Sequence, residues 1–471
     1  MKNIAICLII VLFGSCSDIL NEKPQAIAVE TFYNTPAEIE AGVAAIYSPL
    51  RGWDCFASVY TSLLEVSSDI FQSGRASWAP PGEYQGFNST NVSRAQQVWV
   101  CFYLSIRNAN LVIKNVPGAN DATEDEKNQY IAEAKFLRAF TYFQLVRCWG
   151  AVPLRDESNM SEHNVARTSI DEIYNFIVSD LEFAGSYLPA EISVAGHPSK
   201  WAAKTLLADV YFHRNEYDKA AEISREVIES AAYSLVEISA ADDFENLYGA
   251  SVVTSSEEIF YLKYVEEDPF EFALYLHGVG RKYLNVDGYY VMYSNKDYIV
   301  YKNWDDKDLR KEYNWYEYEG FDPGTILCKK YNDTEGLRPR NDLPVYRYAD
   351  CLLIYAEASC RVAGGPTAEG VEALNKVHRR AYGYPSTQPS PVDFKLVDYN
   401  KDSFIDLCME ERGYETVAEG KRWLDLKRSG LAEEIVKAHR GQDISEKHYL
   451  WPIPVSELNY NEAITDQNPG Y

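Results

Sequence analysis

Thirty consecutive residues, Trp201–Ser230, constrain this chain more than any other stretch: WAAKTLLADVYFHRNEYDKAAEISREVIES. Leu207, Ala208 and Tyr211 fall on one face of a first helix, and Tyr217 with Ala220 opens a second. Helices this short are marginal alone. Small residues let two such helices pack antiparallel at close range. The pair still has an apolar face that only neighbouring pairs can cover. Helical periodicity recurs accordingly. Pro36 suits a first helical turn, and Ile39, Val43 and Ile46 follow it. Thr123 and Glu126 have capping-box spacing, ahead of Ile131, Ala134, Leu137, Phe140 and Leu145. Thr168-Ser169 precedes Ile170, Ile173, Ile177 and Leu181 in the same way. Arg347–Val362 and Thr367–Ala381 read as a second, looser pair, broken at Gly364-Gly365-Pro366.

A Leu, a small residue, a Tyr and then an Ala nine positions on is the spacing of the tetratricopeptide helix pair. The fold expected is therefore all-α: a tetratricopeptide-like helix-pair scaffold. Residues 31–471 read as one helical domain with a large irregular, loop-rich insertion at about 239–346. Helical periodicity fades there while Gly and Pro recur, and Ile259–Val265 reads as a short strand. Fifteen of the 36 Tyr residues lie in that insertion. A Tyr surplus of this kind serves either an irregular core or an aromatic surface facing a ligand. Long loops on a rigid scaffold tend to carry function.

Lys plus Arg number 45 and Asp plus Glu 70, a formal net charge of −25. A nucleic-acid binder needs a basic footprint, and attraction to anionic headgroups needs basic clusters, so both are excluded. The N-terminus, MKNIAICLIIVLFGSC, places one Lys before ten apolar residues, Ile4–Phe13, then Gly14, Ser15 and Cys16. That run is too short to span a bilayer and fits a secretory h-region. Small residues directly before Cys mark a lipoprotein signal, with Phe13 standing where Leu is more usual. Residues 1–15 are expected to be the signal peptide, Cys16 the lipidated residue, and 16–30 the anchor and its tether. Of nine Cys, seven remain beyond Cys7 and Cys16. None forms a C-x-x-C, so neither a disulfide framework nor a zinc site is expected.

Catalytic signatures are missing. No Walker A loop, G-x-G-x-x-G turn or H-E-x-x-H is present, and the seven His are scattered singly. Clusters such as Glu266-Glu267-Asp268 read as solvated surface, since a glycosidase needs carboxylates set across a cleft. No cofactor and no metal is expected. Aromatic recognition is what remains: sugar rings present C–H faces that stack on Trp and Tyr, which bring large contact area at low entropic cost. Two segments qualify. Asp69–Asn91 reads as an exposed loop and carries Asp69, Arg75, Trp78 and Tyr84. The Tyr-rich insertion carries Tyr289, Tyr290, Trp304, Trp315 and Tyr316. Trp99, Trp201 and Trp423 lie on patterned helices and are assigned to the core.

Several blocks carry a family resemblance. They are VWVCFYLSIRNANLVI (98–113), AEAKFLRAFTYFQLVRCWGAVPL (132–154), RYADCLLIYAEA (347–358), LNKVHRRA (374–381), EERGYETVAEGKRWLDLKRSG (410–430) and WPIPVSELNYNEAITDQNPGY (451–471). Taken in order, with SDILNEKP after Cys16, the chain resembles the SusD/RagB family of nutrient-binding outer-membrane lipoproteins from end to end. His378 and Thr416-Val417 depart slightly from the family pattern. Arg347, Asp350, Glu357, Glu419, Arg422 and Asp425 read as structural charges, with Glu419–Arg422 and Arg422–Asp425 as i,i+3 pairs. The resemblance implies a lipid-anchored, surface-exposed outer-membrane protein with no enzymatic activity. It would capture an oligosaccharide and pass it to a SusC-like TonB-dependent transporter, with ligand loops from stretches comparable to the two above. A binder of peptides or another nutrient, an α-helical glycoside hydrolase and a protein-binding scaffold remain as alternatives.

Overall fold

The computed structural model describes residues 32–319 and 322–471. The expected signal peptide, the Cys16 anchor and the tether lie outside the described residues. The expected all-α fold is present. The helices are α1 Pro36–Arg51, α2 Val59–Val66, α3 Val92–Asn115, α4 Glu124–Trp149, α5 Ile170–Tyr187, α6 Lys200–His213, α7 Tyr217–Glu229, α8 Tyr348–Ala363, α9 Ala368–Ala381, α10 Lys401–Glu415, α11 Arg422–Ser429 and α12 Ala432–Arg440; shorter turns are left unnumbered. α1 packs on α3, α3 on α4, α4 on α5, α5 on α6, α6 on α7, α7 on α8, and α8 on both α9 and α10. Each helix thus covers the apolar stripe of the next, as short helix pairs require.

Local signals set the boundaries. Thr35 with Glu38, Thr123 with Glu126 and Ser169 with Glu172 form capping boxes at the starts of α1, α4 and α5. Gly364, at φ +74°, ends α8 in the left-handed region, where a side chain would add strain.

The stack is continuous in space but interrupted in sequence. α7 packs directly on α8, although residues 230–347 lie between them. Strands are few and short: β1 Val152–Pro153, β2 Arg167–Thr168, β3 Glu258–Leu262, β4 Ser294–Asn295, β5 Trp315–Glu317, β6 Thr325–Cys328 and β7 Leu343–Arg347. β3 and β7 pair antiparallel, with Glu258 opposite Arg347 and Leu262 opposite Leu343. This ladder closes the neck of the insertion just before α8 begins. Inside it, β4, β6 and β5 form an antiparallel sheet in that spatial order.

A buried ionic network fastens the insertion to the stack. The Arg347 guanidinium binds Glu257 at 2.8 Å, Glu415 at 2.7 Å and Glu419 at 2.7 Å, with all four side chains at 0 % exposure. Arg380 bridges Glu257, at 2.7 Å, and Glu415. Arg310 binds Asp308, Glu411 and Glu415 at 2.6, 2.7 and 3.0 Å. Lys330 reaches Glu419 at 2.6 Å. Glu257, Asp308, Arg310 and Lys330 come from the insertion; Arg380, Glu411 and Glu415 come from α9 and α10. Burial opposes ionisation of Glu411, but Arg310 and His378 hold its carboxyl down to about 2.

Two expected pairings differ. Glu419 precedes the start of α11 and turns to Arg347 and Lys330. Arg422 instead donates to Asp69 at 2.8 and 3.0 Å, and Asp425 pairs with Arg412 at 2.7 Å. The i,i+3 reading assumed that one helix carried all three residues. The C-terminal segment is docked: Gln467 bonds both ways with the Ile453 backbone, and Asn468 donates to the Trp149 and Trp451 carbonyls.

Breaking a buried charge cluster from one side is costly. Arg347→Met is expected to lower unfolding stability by about 3–5 kcal/mol in urea titrations, since it leaves Glu257, Glu415 and Glu419 short of a cation. Glu65 behaves in the opposite sense. Its carboxyl is buried and pushed up to about 8, although it accepts the Gly420 N–H at 2.5 Å. A carboxyl raised above its unfolded value contributes stability at acid pH that is lost as pH rises toward the folded value. Glu65→Gln is expected to flatten the fall in stability between about pH 4.5 and 8. At pH 8 the variant should be the more stable by about 1 kcal/mol or more, as read by urea unfolding across that range.

Candidate functional site

The insertion builds its most aromatic surface on an irregular ribbon. Phe272–Leu276 forms a short helix, and residues 288–292 return beside it. The Tyr289 N–H donates to the Leu274 carbonyl at 2.6 Å, that of Tyr290 to His277 at 2.8 Å, and that of Gly288 to Gly278 at 3.1 Å. A Cβ at Gly278 would sit 2.3 Å from the Tyr318 ring, so only glycine lets that ring lie on the ribbon. Tyr290 has φ +40° and Arg281 φ +54°, a conformation side chains adopt at a cost and often near functional sites.

Rings line this surface from end to end. Trp78 meets Tyr275 at a centroid distance of 5.6 Å, and Tyr275 meets Tyr289 at 5.9 Å. The adjacent Tyr290 meets Tyr318 at 5.9 Å, Tyr318 meets Tyr316 at 6.5 Å, and Tyr316 meets Tyr283 at 4.7 Å. Tyr289 is 52 % exposed; Tyr283, Tyr290, Tyr316 and Tyr318 are half-buried. Four cations rest on these rings, one of them Lys329, 5.3 Å over Tyr283. The Arg75 guanidinium lies 3.8 Å over Tyr290, Arg94 lies 3.8 Å over Trp78, and Lys282 lies 5.0 Å over Tyr283. Such contacts gain strength where water is thinned out. A pocket of about 140 Å³ opens at the Tyr283 end between His277, Lys282, Tyr316 and Tyr318. Burial pushes Tyr316 up to about 12 and His277 down to about 4, so both are neutral at physiological pH. The Tyr316 hydroxyl accepts the Gly278 N–H at 2.9 Å and keeps its own proton to donate.

Of the residues expected from sequence, Arg75, Trp78, Tyr289, Tyr290 and Tyr316 meet here. Trp78 is nevertheless only 4 % exposed, with Arg94 across its face. The other four expectations are corrected by burial. Asp69–Asn91 is not an exposed loop along its length: Arg440 holds the Phe71 and Gly82 carbonyls, and Gln72 bridges to Tyr293. Asp69 is fully buried between Arg422 and His439, and these hold its carboxyl below the usual range against burial. Tyr84 is buried, and its hydroxyl donates to the Ser67 and Ser68 carbonyls. Trp304 stacks on Tyr414 at 4.4 Å and 15°, with its indole N–H on Asp308 at 2.8 Å. Trp315 packs on Phe71, and its strand neighbour Tyr316 faces the other way, as alternate strand residues do. Trp99 and Trp423 are in the core as expected, while Trp201 is half-buried.

A separate cleft of about 410 Å³ lies beside α10 and α12, lined by Asp406, Glu410, Tyr414, Arg422, Glu434 and His439. Asp69 sits behind it. Among its described lining residues Tyr414 brings the one tyrosine ring, and that ring is buried.

Sequence reasoning missed Tyr275, Tyr283, Tyr318, Arg94 and Lys282. The four insertion residues lie in the stretch already marked by its Tyr density. Arg94 sits on α3, and nothing in its sequence neighbourhood points to a ring on another segment.

The family model described as "SusD family" matches residues 232–471, and one described as "Starch-binding associating with outer membrane" matches residues 19–212. The curated SusD-like protein P2 of Formosa agariphila is 29 % identical over 99 % of this chain and 98 % of its own length. A solved SusD homologue from Bacteroides thetaiotaomicron superimposes with a TM-score of 0.82 at 21 % identity, covering 94 % of this chain and 98 % of that one. A laminarin-binding SusD-like protein superimposes at 0.77 with 24 % identity, covering 93 % of this chain and all of that one.

Proposed function

The chain belongs to the SusD family, and from that premise we propose that it is a carbohydrate-binding nutrient protein of the outer membrane. It captures an oligosaccharide on the row of rings from Tyr289 and Tyr290 to Tyr316 and Tyr283, with Trp78 buried under Arg94 at one end. Cys16 anchors it by lipid, and a SusC-like TonB-dependent transporter receives the sugar. The row of rings supports this reading most directly. Half-buried tyrosines give stacking faces, and the neutral Tyr316 hydroxyl and Tyr289 offer polar contacts to sugar hydroxyls. The site works by binding alone: it offers contact area and hydrogen bonds, and the ligand leaves unchanged. The names of relatives that bind starch and laminarin are consistent with this.

The test uses the chain beginning after Cys16 in native affinity gels against a panel of polysaccharides, with product chromatography of every hit. Retardation with intact sugar is expected, and Tyr289→Ala should weaken it about three- to tenfold. Shortened products would mean a hydrolase. Binding of peptides in place of glycans would mean another nutrient.

A further inference from the structure

We propose that the glycan this site takes is anionic, bearing carboxylate or sulfate groups; the inference rests on the capture reading above. It begins from charge. The chain carries a net −25, and its buried cations are mostly engaged, as Arg347, Arg380 and Arg310 illustrate. On the aromatic surface, by contrast, cations stand without carboxylate partners. Arg75, Arg94 and Lys282 each lie over a ring. None of them forms an ion pair with a carboxylate among the described residues.

The carboxylates at the margins are occupied or distant. Glu317 pairs with Lys296. Asp287 lies 3.6 Å from Arg281 and accepts the Gly280 N–H at 3.0 Å. Glu83 accepts from Gln85 at 2.8 Å, and Asp322 lies toward Tyr293.

Geometry narrows the ligand further. A neutral sugar needs bare ring faces, yet guanidiniums cover Tyr290 and Trp78 at 3.8 Å. A ligand arriving there meets the edge of a guanidinium, a flat fork of N–H donors shaped for carboxylate or sulfate oxygens. Arg94 spends its Nε and Nη2 on the Ser77 hydroxyl, at 3.2 and 2.7 Å, which aims the group and leaves Nη1 without an acceptor among the described residues. The Arg75 side chain has no hydrogen-bond acceptor among them either. Lys282 brings a third charge to the pocket at the far end of the row. The row thus alternates stacking faces with cationic ends, a pattern for a chain whose acidic groups recur along it. Tyr290, strained at φ +40°, carries the ring that lies under Arg75.

The experiment measures calorimetric affinity for three oligosaccharide probes: alginate digests, which carry carboxylates without sulfate; κ-carrageenan digests, which carry sulfate without carboxylates; and laminarin digests, which are neutral. Binding of alginate or κ-carrageenan is expected, and the one that binds identifies the anionic group. Its affinity should fall about tenfold or more when NaCl is raised from 50 to 500 mM, because exposed charges are screened over a few ångströms at high salt. Arg75→Gln and Lys282→Gln, both on exposed side chains, should each weaken it about tenfold. Circular dichroism and melting curves should remain unchanged. Binding of laminarin that is indifferent to salt and to Arg75→Gln would overturn the anionic inference and leave glycan capture standing. Failure of all three probes to bind would overturn the capture reading together with the inference.

Discussion

The ion cluster around Arg347 is the interaction on which the rest of the structure depends. Three carboxylates and a guanidinium at 0 % exposure are unstable singly, because each charge leaves water at a cost of several kcal/mol. Together they satisfy one another, and they do so from parts of the chain far apart in sequence. Glu257 brings the turn just before β3, Arg347 the end of β7, Glu415 the end of α10, and Glu419 the turn after it. Arg310 and Lys330 add two further points of the insertion. An irregular excursion with only short strands has little hydrogen-bonded framework of its own. The cluster supplies a fixed base for it.

That base explains how loops can hold rings in a defined row. The sheet of β4, β6 and β5 turns Trp315 inward and Tyr316 outward. Gly278 and Gly288 let the ribbon close tightly beneath Tyr318 and His277. The helical stack contributes from the other side, since Arg94 on α3 covers Trp78. The surface is therefore a joint product of scaffold and insertion.

Much of this was legible in the sequence. Helix pairing came through because packing of short amphipathic helices has one period, and the capping boxes at Thr123 and Ser169 follow from local hydrogen bonding. The insertion was visible as lost periodicity and dense Tyr. Which rings face out was less legible. Trp304 and Trp315 were expected at the surface because they sit in loop-like sequence, but large rings in an irregular region are also what fills its core. Asp69 and Tyr84 were misplaced for a related reason: their partners, Arg422 and His439 for one and the Ser67 and Ser68 carbonyls for the other, cannot be inferred from composition. The pairing of Arg422 with Asp69 shows the same limit, since a helical spacing rule sees neighbours on one helix and not a segment some 350 residues away.

Glycan capture on the tyrosine row is tested most sharply by a crystal structure of the chain after Cys16 with the best-binding oligosaccharide. Sugar rings are expected against Tyr289 and Tyr283, with acidic groups about 3 Å from Arg75, Arg94 or Lys282. A ligand seated instead in the cleft beside α10 and α12, against Glu410 and His439, would contradict it.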